Sequence, residues 1–201
     1  MTGDAHGNEE IMNDFDILLK EEILSRFVSV ISDWNETDIY AISFYVANIA
    51  DNPCYPIVIL GYNTESYARE NLDQSDEQEV RWNYAYWMQN REAVFGDTNV
   101  QPLLKQWIES HGLPHIDNFN LYFNTVGEET LEKMELIPVK FQEILVTVAQ
   151  AIHTLGILEK KFHKELPILI HGDEYDDFVA KQNNVANETL DINDFIAYCV
   201  R

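Results

Sequence analysis

Two segments of the chain hold side chains able to do chemistry. One is His171-Gly172-Asp173-Glu174-Tyr175-Asp176-Asp177. An imidazole with several carboxylates can hold a hard divalent cation. The same acids also have a plainer use. They follow an apolar run, Pro167-Ile168-Leu169-Ile170, and precede a helical pattern from Glu174 to about Asn184. Carboxylates there complement the positive end of the helix, with Asp173 as its cap. Asp176 and Asp177 point in different directions on that helix, so no metal ligand set is assigned.

The other segment is Arg81-Trp82-Asn83-Tyr84-Ala85-Tyr86-Trp87-Met88-Gln89. Read as helix, it places Trp82, Tyr86 and Gln89 on one face and Asn83 and Trp87 on another. Aromatics on several faces imply burial on several sides or a groove. Two uses follow. Trp and Tyr with Arg81, Asn83 and Gln89 can line a ligand pocket or anchor a partner. Alternatively this is a core helix, with Arg81 paired to a carboxylate.

Catalytic signatures are missing. There is no phosphate-binding loop, dinucleotide fingerprint, Gly-x-Ser-x-Gly elbow or Cys-x-x-Cys pair. Cys54 and Cys199 have no histidine near them in sequence, which leaves a Cys/His nucleophile unsupported. With 35 acidic residues, any fold brings carboxylates together, so acid pairs carry no information. His111, His115, His153 and His163 share no ligand spacing and read as surface or satisfied core. No catalytic residue and no cofactor is assigned.

The elements that must position these segments follow from periodicity. Phe15, Leu19, Ile23, Phe27, Val30 and Trp34 form one stripe of an amphipathic helix over Glu9 to Trp34. Ile39 to Val46 and Ile57 to Tyr62 are β-rich runs on either side of a turn-forming stretch, Asn48 to Pro56, and predict an antiparallel hairpin. Asn63-Thr64 caps a short helix through Leu72. Ser75-Asp76-Glu77-Gln78 reads as a capping box for the aromatic helix, and Thr125-Val126-Gly127-Glu128 as a second. A helix covers Val100 to Ser110. Asn120 to Val126 is a strand or a loop. Pro138 suits the first turn of a new helix, with Phe141, Leu145, Val148 and Ile152 on one stripe, and Gly156 marks a break. Asp191 to Val200 closes the chain as a small helix. The expected fold is a single α+β domain, a small, mostly antiparallel sheet flanked by several helices, over residues 9–201. Residues 1–8 form a flexible lead-in.

The chain has 201 residues, 46% of them hydrophobic, enough for a real core. Its formal net charge is -22. That charge repels nucleic acid and anionic membranes, because phosphate binding needs Lys and Arg. It permits a basic protein partner, attracted by long-range steering. It equally serves solubility. Two cysteines make no disulfide framework, the first ten residues lack a signal-peptide pattern, and no stretch reaches the length of a membrane span. A cytoplasmic protein is expected; its oligomeric state is left open.

Five stretches, taken together, carry a resemblance. They are Ile39-Tyr40-Ala41-Ile42-Ser43-Phe44-Tyr45, Gly61-Tyr62-Asn63-Thr64-Glu65, Glu79-Val80-Arg81-Trp82-Asn83-Tyr84-Ala85-Tyr86-Trp87, Pro167 to Tyr175, and Asn183 to Asn187. In order they resemble the bacterial domain of unknown function 4303 family, over about residues 38–198. The resemblance implies a small cytosolic bacterial protein of undetermined activity. It makes Arg81-Trp82 and His171 to Tyr175 hallmark positions and brings no catalytic residues. Such families are often encountered near toxin-immunity genes, which implies an immunity role.

Two readings result. One is a protein-binding module, such as an immunity protein that neutralises a basic toxin. The other is a small-ligand binder or enzyme with a pocket near Trp82, Trp87 and His171. The residues singled out for ligand or partner are Arg81, Trp82, Asn83, Trp87, Gln89, His171, Asp173, Glu174 and Tyr175.

Overall fold

The computed structural model describes residues 12–97, 99–117 and 125–201. The lead-in over 1–8 and most of the 120–126 segment lie outside the described residues. The first helix, α1 (Asp14–Ile31), opens on Asn13. The Asn13 side chain accepts from the amides of Phe15 and Asp16, and Asp16 accepts from the amide of Asn13. This reciprocal cap satisfies amides that have no partner within the helix. Leu19, Ile23, Phe27 and Ile31 form its buried stripe, with Trp34 just beyond.

Strands β1 (Ile39–Asn48) and β2 (Pro56–Thr64) pair antiparallel, as the hairpin pattern predicts. The connection includes Ala50 and Asp51, both at positive φ. Strand β3 (Ala93–Phe95) adds antiparallel to β2, and β4 (Ile168–His171) adds parallel to β1. The order β3-β2-β1-β4 gives a four-stranded, mostly antiparallel sheet. The fold is α+β, as expected.

Alternation divides the sheet between two cores. Ile42, Phe44, Val58, Leu60, Ile168 and Ile170 join the larger core with α1, α4 (Gln101–Ser110) and α5 (Glu128–Thr154). Leu169 and Ala41 face the smaller one, with α2 (Glu65–Glu70), α3 (Glu77–Trp82), α7 (Asp177–Ala186) and α8 (Asn193–Cys199). A register shift between Ile39 and Ala41 makes Tyr40 an extra residue. That irregularity puts both Tyr40 and Ala41 into the smaller core. Helix α6 (Ile157–Phe162) follows the break at Gly156, whose φ is +59. Among the described residues, no helix is long and apolar enough to cross a membrane.

Several local expectations are corrected. The cap of α3 is Asp76, not Ser75, and it accepts from the amides of Gln78 and Glu79. At α5 the cap position is Gly127, which makes no side-chain bond, so Thr125 opens no capping box. Pro138 does not start a helix; it lies inside the 27-residue α5. Its missing N–H breaks one backbone bond, but Met134, Ile137, Phe141, Ile144 and Leu145 are buried on both sides of it. Packing of that continuous stripe outweighs an interior-proline cost of about 3 kcal/mol.

The free edge of β4 is closed by side chains rather than by a strand. Asn183 Oδ1 accepts from the Ile170 amide at 2.7 Å, and Asn183 Nδ2 donates to the Ile170 carbonyl at 2.7 Å. One helical turn on, Asn187 does the same for Ile168, at 2.8 and 2.9 Å. The side-chain amides of Asn183, in α7, and Asn187, its C-terminal cap, thus imitate a neighbouring strand and satisfy alternate residues of the edge.

Candidate functional site

The site forms where the parallel pair β1 and β4 ends. Tyr45 and His171 are register partners there, and Ser43 lies two residues back on the same face of β1. His171 is 1% exposed. Its Nδ1 lies 3.1 Å from the Gly172 carbonyl oxygen, which can only accept, so Nδ1 carries the hydrogen. Nε2 then accepts from the Ser43 hydroxyl at 2.9 Å. Burial pushes the imidazole down to about 4, against the weaker opposing effects of Gly172 and Asp173, so the ring is neutral at pH 7.

Aromatic rings surround this histidine. Tyr84, Tyr45, Tyr175 and Trp87 have centroids 5.1, 5.7, 5.9 and 6.1 Å from it. Tyr175 stacks on it, and the Tyr175 hydroxyl accepts from the Tyr84 amide at 2.9 Å. Trp87 Nε1 donates to the Arg81 carbonyl at 2.9 Å, which fixes the indole behind Tyr84. Ser43 and His171 make the hydrogen bond a serine nucleophile requires. Both, however, lie at 1% exposure beneath this layer, where a substrate carbonyl has no path to Ser43.

Outside the layer is an open cleft of ≈ 340 Å³. Tyr45, Tyr84, Asn83, Gln89, Arg91 and Asp173 line it, over Ile59, Gly172 and Tyr175. Tyr45 and Tyr84 stack at 4.8 Å with 19° between planes. The Tyr45 hydroxyl donates to Asp173 Oδ1 at 2.7 Å. Burial, with the Asp173 carboxylate beside it, pushes the Tyr45 phenol up to about 12. Gln89 adopts a left-handed backbone, φ +49, and its side chain donates to the carbonyls of Tyr84 and Ala85. A non-glycine residue in that region is held there by its surroundings, and such residues cluster at functional sites.

The structure sorts the sequence-predicted residues. Asn83, Gln89, Asp173 and Tyr175 line the cleft, with Trp87 and His171 packed directly behind it. Arg81 and Trp82 do not belong to it. The Arg81 guanidinium forms a bidentate pair with Glu65, at 2.9 and 3.0 Å, and lies over the Tyr40 ring. Trp82 is buried against Tyr40 and Phe195. Glu174 is exposed and lies outside the cleft lining.

The expected helix through Gln89 stops at Trp82, so Trp82, Tyr86 and Gln89 share no helical face. The cause is Asn83, whose extended backbone leaves the helix and whose side chain caps a tight turn at Tyr84–Tyr86. Asp173 is not a helix cap either; Asp176 caps α7 by accepting from the Val179 amide, and the helix starts at Asp177 rather than Glu174. Both nitrogens of His171 are committed to Ser43 and Gly172. Among the described residues, no group of three histidine, cysteine or acidic side chains is placed to hold a metal ion.

Sequence reading missed Tyr45, Tyr84 and Arg91 as lining. Tyr45 alternates with Ser43 in the β1 pattern, which marks its face, but the parallel pairing with β4 that brings it to His171 leaves no local signal. Family models, curated proteins and solved structures, when compared with this chain, give no match.

Proposed function

We propose that the chain is a cytoplasmic protein-binding module and that the cleft at Tyr45, Tyr84 and Asp173 receives a basic side chain of its partner. One observation carries the reading: a stacked tyrosine pair with a carboxylate hydrogen-bonded at its rim. Aromatic faces beside a carboxylate suit a lysine or arginine, which gains from both. Asn83, Gln89 and Arg91 add polar groups for the adjoining peptide backbone. The net charge of -22 supports the same class of partner, since it speeds encounter with basic proteins and opposes binding to nucleic acid. On the resemblance to the domain of unknown function 4303 family, the partner is a basic toxin and the role is immunity.

A second reading shares the cleft. Its volume of ≈ 340 Å³ is in the range of small-molecule pockets, which favours a polar ligand seated on the same tyrosines. Co-purification from the native host, with wild type and a Tyr84→Ala/Asp173→Asn variant, separates the two. A basic protein retained by wild type, released by salt and lost from the variant supports the module. Equal retention by the folded variant counts against the cleft as the recognition surface.

A further inference from the structure

A second cleft, of ≈ 380 Å³, lies where α1, α4 and α5 meet, well away from His171 in the fold. At its base is Asp16, only 4% exposed. Its Oδ2 accepts from the Asn13 amide at 2.7 Å, and its Oδ1 accepts from Trp107 Nε1 at 2.7 Å. His111 Nε2 lies 2.8 Å from the same Oδ1. Burial alone would raise this carboxyl, but the three hydrogen bonds outweigh it and hold Asp16 below the usual carboxylate range. A carboxylate can only accept, so His111 Nε2 carries a hydrogen and donates it. The Asn13 side-chain nitrogen, Nδ2, is also 3.2 Å from Nε2. The Asn13 side-chain oxygen is committed to the α1 cap, and the nitrogen donates to Ser110 Oγ instead.

That arrangement fixes the ring and leaves Nδ1 for a visitor. Among the described residues, His111 Nδ1 takes no hydrogen bond. The lining also includes Lys140 and Ile144 from α5, and Met12. Glu143, also in the lining, sits 3.8 Å from Lys140 with its side chain 56% exposed. An orienting acid, a histidine with one open nitrogen, an ammonium and two apolar side chains therefore share one concavity.

We propose that this cleft binds a small monocarboxylic acid with an apolar body. The ligand enters as its carboxylate, and one proton taken up from solvent completes His111 Nδ1–H. The ring then donates from both nitrogens, Nε2 to Asp16 and Nδ1 to the ligand carboxylate. Lys140 faces the same carboxylate, and the apolar body lies on Met12 and Ile144. Asp16 is a positioning residue: it holds the ring so that the reachable nitrogen is Nδ1.

The test is titration of the full chain with benzoate, read by calorimetry and by the nitrogen-15 resonances of His111. Benzoate is expected to bind saturably and to move the Nδ1 resonance from the bare-nitrogen range into the N–H range. His111→Gln, shown folded by circular dichroism, is expected to weaken binding at least about tenfold. Lys140→Met is expected to weaken it several-fold while leaving the His111 resonances of the free protein in place. No saturation up to on the order of 10 mM benzoate overturns the proposal, since weaker binding is below any useful affinity. So does equal binding by folded His111→Gln, an Nδ1 resonance unmoved at saturation, or preference for butylamine over benzoate. If His111→Gln does not fold, the wild-type Nδ1 resonance and Lys140→Met decide.

Discussion

Nε2 of His171 lies 2.9 Å from Oγ of Ser43, with both residues buried under four aromatic rings. A neutral histidine in such a place is a structural acceptor rather than a base. It joins β4 to β1 across the parallel pair and supports the tyrosines that line the cleft.

That role has a pH signature. The folded pKa, about 4, lies below the ordinary value of 6.5, so the unfolded chain takes the proton first as pH falls. The stabilisation is complete above pH 6.5 and is lost as pH drops from 6.5 to 4, by about 3 kcal/mol in total. Denaturant unfolding at pH 7 and pH 4.5 should show this loss in wild type. His171→Gln should be less stable at pH 7 but with a smaller fall between the two.

The edge clamp gives a second expectation. Asn183→Leu leaves the buried amide of Ile170 without its outer partner, while the carbonyl keeps its bond from Gln182 Nε2 at 3.0 Å. One orphaned buried group costs about 1–3 kcal/mol. Equilibrium unfolding should show a loss of that size, whereas exposed Asn184→Leu on the same helix should change stability by less than about 0.5 kcal/mol.

Arg81 separates structural from recognition roles. Its pair with Glu65 is partly exposed, with side chains 31% and 44% accessible. Glu65→Gln should cost under about 1 kcal/mol. Arg81→Ala should cost more, because the guanidinium also covers the Tyr40 ring. Neither change should alter partner affinity at the cleft; a large affinity loss with stability intact would return Arg81 to the recognition surface.

Much of this architecture can be read along the chain. The α1 stripe, the β1–β2 hairpin, the break at Gly156 and the run ending at His171 are local patterns of period or turn chemistry. Where reading fails, the deciding contact is distant or competes with a neighbour. Asp76 rather than Ser75, and Asp176 rather than Asp173, cap their helices, because adjacent capping residues look alike in sequence. Pro138 is carried inside α5 by packing its own segment cannot reveal. Tyr45 meets Asp173, and Asp16 meets His111, across long sequence separations that no periodicity encodes. The aromatic segment signals burial correctly, yet it mixes residues that serve the core, such as Trp82, with residues that serve the cleft, such as Asn83.

Tyr45, Tyr84 and Asp173 are proposed to hold a basic side chain together. The most direct measurement of this role is titration of wild type and of the Tyr84→Ala/Asp173→Asn variant with a short lysine–arginine peptide, with an acetylated-lysine version as control. The variant is expected to bind at least about tenfold more weakly, close to 1.4 kcal/mol, and acetylation of the peptide to give a comparable loss in wild type. Equal affinity of the folded variant and wild type for the unmodified peptide would contradict the proposed role.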